Sequence, residues 1–168
     1  GCGDRCRDEL PGVDLDRALR LAVVHDAAEA LTGDGATRAE ETADPIDCEA
    51  KAAAEREAMA TLADPLPVRI ADAFATYEAR ETPEAVLVKE CDLLDTCVQA
   101  VVYEREDRYD PATGDPTAFT EYDALDEFFA TTEQRLQTDA GGVLFDRLRA
   151  RYRHHRAATN DEAGSTGR

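Results

Sequence analysis

The chain has 168 residues, 43% hydrophobic and 33% charged, with a net charge of −18. Such a length and balance suit one soluble globular domain of roughly 100–200 residues. The acidity excludes a basic footprint for nucleic-acid polymers or anionic membranes, and no apolar run approaches the ~20 residues of a membrane-spanning helix.

Taken in chain order, the pattern predicts helix after helix and no strand. Asp14 caps a helix running to about Leu31, with Leu15, Leu19, Ala22, Val23 and Ala27 on its apolar face, and Gly33 stops it. Residues 34–46 read as a polar loop. Residues 47–63 read as a solvent-facing helix with Ala50, Ala54 and Leu62 inward. The segment Ala63-Asp64-Pro65-Leu66-Pro67 is a turn, and a short helix over 68–80 follows. Thr82-Pro83-Glu84 combines an N-cap, a proline at the first helical position and an acid in the first turn, and opens a helix to about Glu106. A Pro- and Gly-bearing loop covers 110–116. Helices over about 121–138 and 143–157 are separated by Gly141-Gly142. Residues 158–168 read as a disordered tail, which leaves a single domain over 1–157.

Lys51 and Lys89 are the only lysines, all other cationic residues being Arg apart from histidine. Scarce Lys, abundant Ala and heavy Asp/Glu resemble a protein of a salt-loving archaeon, whose medium screens the self-repulsion of −18. The five cysteines, Cys2, Cys6, Cys48, Cys91 and Cys97, form no C-x-x-C pair. That argues against a zinc ribbon or disulfide framework and for a reducing cytoplasm. Cys91 and Cys97 are expected to be buried thiols. The only Met is Met59, so the chain reads as N-terminally truncated.

One stretch carries chemistry. Leu21-Ala22-Val23-Val24-His25-Asp26-Ala27-Ala28-Glu29 sets an imidazole and two carboxylates on a helix otherwise built of Ala, Leu and Val, with Asp34 just past the glycine stop. His25 and Glu29, four residues apart, share a helix face. Carboxylates on an apolar face are costly unless a cation neutralises them. From these residues alone, a satisfied core histidine and a metal ligand remain open alternatives. Farther along, Lys89, Asp92 and Asp95 recur every three residues, a spacing that by itself reads as the solvated Lys–Asp face of an amphipathic helix.

Together, His25-Asp26-x-x-Glu29-x-x-x-Gly33-Asp34 and Val88-Lys89-Glu90-Cys91-Asp92 resemble the HD-domain metal-dependent phosphohydrolases, in particular their 5′-deoxynucleotidase branch. Tyr77-Glu78 before Thr82 fits the same branch. The likeness extends from about Val13 to Tyr152. It implies an all-α HD-domain bundle of about six helices, lacking the family's first helix. It further implies hydrolysis of deoxynucleoside 5′-monophosphates to deoxynucleoside and phosphate.

By that resemblance His25, Asp26 and Asp92 are metal ligands for Mn²⁺, Co²⁺ or Mg²⁺. The family's remaining histidine ligand is expected upstream of residue 1, because no His precedes His25. An unmasked apolar patch is expected in its absence. Glu29 and Asp34 fall where the family places catalytic carboxylates, Glu29 as the proton relay. Asp34, Gly35, Thr37, Glu78 and Lys89 fall at substrate-binding positions, with Arg38 a further phosphate partner. The resemblance also implies a homodimer. The alternatives are a non-catalytic regulatory or interaction module, or an HD hydrolase of another phosphoester.

Overall fold

The computed structural model describes residues 12–33, 45–106, 108 and 125–165. Among them there are seven helices and no strand: α1 Leu15–Val24, α2 Glu29–Thr32, α3 Pro45–Ala63, α4 Arg69–Ala79, α5 Pro83–Arg105, α6 Asp126–Glu133 and α7 Asp139–Ser165. The expected all-α class holds. The expected loops at 34–44 and 110–116 lie outside the described residues. The chain forms two compact units that divide between Lys89 and Glu90, and α5 runs through the division.

In the first unit, α1 starts where the sequence indicates: Asp14 Oδ1 accepts the Arg17 N–H at 3.1 Å. Its buried face is Ala18, Leu21 and Val24, continued by Ala28, while Leu15, Leu19 and Val23 are exposed. The expected face is therefore corrected. Nearly every side of α1 carries an apolar residue, and packing against α4 selects the side. Helix α3 packs on both α2 and α4. It turns Ala58, Met59 and Ala63 inward, while Ala50 and Ala54 are exposed. Met59 joins Val24, Ala28 and Phe74 in one cluster, where its unbranched side chain follows an irregular gap. A second cluster holds Ala18, Leu21, Tyr77, Ala85 and Val88.

Helix α5 begins as expected, with Thr82 Oγ1 accepting the Ala85 N–H at 3.3 Å. The buried Glu84 carboxylate accepts the Asp14 N–H at 2.9 Å, with Arg17 Nε at 3.8 Å, and so joins the starts of α1 and α5.

In the second unit, α6 packs on α7. Leu94, Cys97, Ala100 and Val101 meet Leu125, Phe129, Phe145 and Tyr152 in one core, each large side chain contributing about 1.5–3 kcal/mol by burial. The Cys97 thiol donates to Thr132 Oγ1 at 3.4 Å, and the Thr132 hydroxyl donates to Leu93 C=O at 3.0 Å. Cys91, expected inside, is exposed.

The last helix starts at Asp139 and continues through Gly141-Gly142 to Ser165, so these glycines do not separate two helices. The reason is Glu90. Its buried carboxylate accepts the N–H groups of Gln137 (2.5 Å) and Thr138 (2.7 Å) and the Thr138 hydroxyl, capping α7. A Cβ on residue 141 would stand 2.7 Å from Glu90 Oε2. No helix among the described residues is long and apolar enough to cross a membrane.

Candidate metal centre

The expected continuous helix through Leu31 breaks at His25. Residues 25–28 form a turn held by tight i→i−3 bonds: Ala27 N–H to Val24 C=O (3.1 Å) and Glu29 N–H to Asp26 C=O (3.0 Å). The helix then resumes for one turn and ends at Gly33 (φ +79°), whose N–H donates to Glu29 C=O. The local cause is the imidazole. His25 Nδ1 lies 2.7 Å from Ala22 C=O, the carbonyl that an uninterrupted helix would pair with the residue-26 N–H.

That bond also sets the tautomer. A carbonyl only accepts, so Nδ1 carries the proton, and in a neutral ring Nε2 is a lone pair. Nε2 stands 3.0 Å from Asp26 Oδ2. Two acceptors at that distance require a cation on or between them, either a proton or a metal ion. The donor set is one imidazole nitrogen and one carboxylate oxygen, with the other ring N–H tied to a backbone carbonyl. This is how protein metal sites hold a histidine ligand. The His25 side chain is 21% exposed and that of Asp26 55%, so the pair is open to solvent and to a ligand.

Tyr77 is 3% exposed, and its ring meets His25 edge-on at 5.6 Å between centroids. Glu78 is half-buried and faces Arg80 Nη2 at 3.5 Å. Glu29, the first residue of α2, and Lys89, on α5, are both half-buried. In the second unit Asp92 is half-buried on α5, one turn beyond Val88. Asp34, Gly35, Thr37 and Arg38 lie outside the described residues.

Arg80, to which the sequence reading gave no role, sits at the end of α4 with φ +54°. Its guanidinium covers the Tyr77 ring at 3.4 Å from the centroid. The one sequence sign of a special conformation there was the short gap between the α4 pattern and the Thr82-Pro83 start.

The model of the HD domain family matches residues 5–133. The chain belongs to the HD domain family. Among curated proteins, this HD domain is similar to 5′-deoxynucleotidase HDDC2 of Danio rerio, 32% identical over 158 residues, or 92% of this chain and 70% of that protein. It is 33% identical over 109 residues to 5′-deoxynucleotidase hdd1 of Schizosaccharomyces pombe, or 60% of this chain and 52% of that protein. To 5′-deoxynucleotidase HDDC2 of Xenopus laevis it is 40% identical over 96 residues, or 55% of this chain and 45% of that protein. The chain thus spans about half the length of the last two relatives. No solved structure matches this HD domain.

Proposed function

We propose that this HD domain is a metal-dependent 5′-deoxynucleotidase, a phosphoric monoester hydrolase that releases phosphate from deoxynucleoside 5′-monophosphates. The observation that carries the reading is the His25–Asp26 pair, two acceptors 3.0 Å apart with the far ring N–H fixed on Ala22 C=O. The relatives bearing that name support the substrate class.

In this reading His25, Asp26 and Asp92 hold one divalent cation, of the Mn²⁺, Co²⁺ or Mg²⁺ type. The set rests on the family resemblance carried by His25-Asp26 and Val88-Lys89-Glu90-Cys91-Asp92. When bound, a divalent cation supplies Lewis acidity to a phosphoryl oxygen and lowers the pKa of water. The chain supplies the rest. Glu29 moves a proton between water and the leaving 5′-oxygen. Lys89 offsets phosphate charge. Asp34, Gly35, Thr37 and Glu78 contact the nucleotide, with Asp34 also serving as an acid–base group. The same reading takes the enzyme as cytoplasmic, from its cysteine usage, and as a homodimer, from the family resemblance.

The test is phosphate release from deoxy- and ribonucleoside monophosphates with each of the three metals. Metal-dependent release confined to the deoxy series is expected. Equal release from both series would overturn the substrate class. Silence towards both, with metal bound, would favour the non-catalytic reading.

A further inference from the structure

We infer that Tyr77, clamped by Arg80, is a positioning residue that keeps the His25 imidazole aimed at Asp26. The inference rests on the reading of His25 as a metal ligand and concerns what holds that ligand in place.

Three observations carry it. First, the hydrogen bond from Nδ1 to Ala22 C=O holds one edge of the imidazole. The Tyr77 ring, at 77° to the imidazole and 5.6 Å away, walls another side of it. Second, Tyr77 is itself held. The Arg80 guanidinium carbon lies 3.4 Å from its ring centroid, a cation–π contact, and Arg80 donates both its backbone N–H and a side-chain N–H to Tyr77 C=O. Third, Arg80 reaches this position by adopting φ +54°, and it is the sole non-glycine residue with positive φ among the described residues. Such backbone conformations are uncommon outside glycine and persist where their surroundings enforce them. Here the enforcing contacts are Tyr77 and the Glu78 carboxylate, 3.5 Å from Nη2.

Tyr77 also packs with Ala18, Leu21, Ala85 and Val88, so a test must separate positioning from core packing. Two readouts do so. One is Co²⁺ affinity, followed by visible absorption. The other needs no metal: the ¹⁵N shifts of the His25 ring report which nitrogen carries the proton.

Tyr77→Phe keeps the ring and is expected to keep both readouts. Tyr77→Leu removes the wall; it is expected to weaken Co²⁺ binding about 10–100-fold, as loss of outer partners of a metal ligand does, and to mix the tautomers. Arg80→Ala leaves the ring in place, guards against misfolding of the leucine variant, and is expected to show a smaller loss in the same direction. Wild-type affinity and an unmixed tautomer in both Tyr77→Leu and Arg80→Ala would overturn the inference. Should His25→Ala bind Co²⁺ as wild type does, the metal reading fails instead, and the metal-free tautomer readout still decides the role of Tyr77.

Discussion

Glu84 Oε1 accepts the backbone N–H of Asp14 at 2.9 Å, across 70 residues of sequence. That bond, opposed by burial and helped by Thr82 and Arg17, holds the carboxyl below its ordinary value of 4.5. A depressed carboxyl stabilises the fold at every pH above the unfolded value, and the contribution is lost as pH falls through the folded value. Glu84→Gln should therefore cost about 1 kcal/mol at pH 7. The gap to wild type should close on acidification below 4.5. Urea unfolding at several pH values measures both.

Adjacent glycines in α7 should respond in opposite directions. Gly141→Ala drives a Cβ to 2.7 Å from the Glu90 carboxylate, which three hydrogen bonds hold in place. Overpacking of this kind costs about 1–3 kcal/mol. Gly142→Ala meets nothing within 4 Å and lies inside the helix, so it should stabilise by about 0.5–1 kcal/mol. Thermal melts of the two variants, read against wild type, give the signs directly.

The proposed roles of Glu29 and Asp92 separate kinetically. Glu29→Gln should lower kcat by about 10²–10⁴-fold, the usual worth of a positioned acid–base group, with metal affinity kept. Asp92→Ala should abolish divalent-metal binding, and activity with it. A titration with Mn²⁺ alongside the phosphate assay distinguishes the two. Full metal occupancy and activity in Asp92→Ala would remove it from the ligand set.

Tyr152 is 1% exposed, its ring packs 4.8 Å from Phe129, and its hydroxyl accepts the Leu125 N–H at 3.3 Å. Burial, with the Asp126 carboxylate second, pushes the phenol up to about 12. The unfolded chain ionises this group first, so stability should fall as pH rises past about 10. Tyr152→Phe should flatten that alkaline limb, at the cost of one backbone hydrogen bond at neutral pH. Melting temperature as a function of pH is the measurement.

A net charge of −18 on 168 residues makes self-repulsion a standing cost. Raising KCl from about 0.1 M to about 1 M shortens the screening length from about 10 Å to about 3 Å. The melting temperature should rise over that range. A flat response would show that the negative charges lie too far apart to repel.

Much was legible in the residues themselves. Asp14, Gly33 and Thr82-Pro83-Glu84 placed helix ends because caps and prolines act through their nearest backbone neighbours. His25-Asp26 stood out because charge amid apolar residues on a helix needs a partner, whereas Asp92 was singled out by the family resemblance alone. What the residues alone could not convey depends on distant groups. The buried side of α1 is Ala18, Leu21 and Val24 rather than Leu15, Leu19 and Val23, because α4 selects one of two comparably apolar faces. Gly141 is a point of close approach rather than a break, because Glu90, some fifty residues earlier, caps the helix that contains it. The break at His25 and the clamp of Arg80 on Tyr77 are instead local, each joining residues three apart through a side-chain contact that the helical pattern does not reveal. Local chemistry sets where helices begin and which residues carry charge. Which face turns inward, and which carboxylate meets which N–H, follow from burial and hydrogen bonding that exist only once the helices have met.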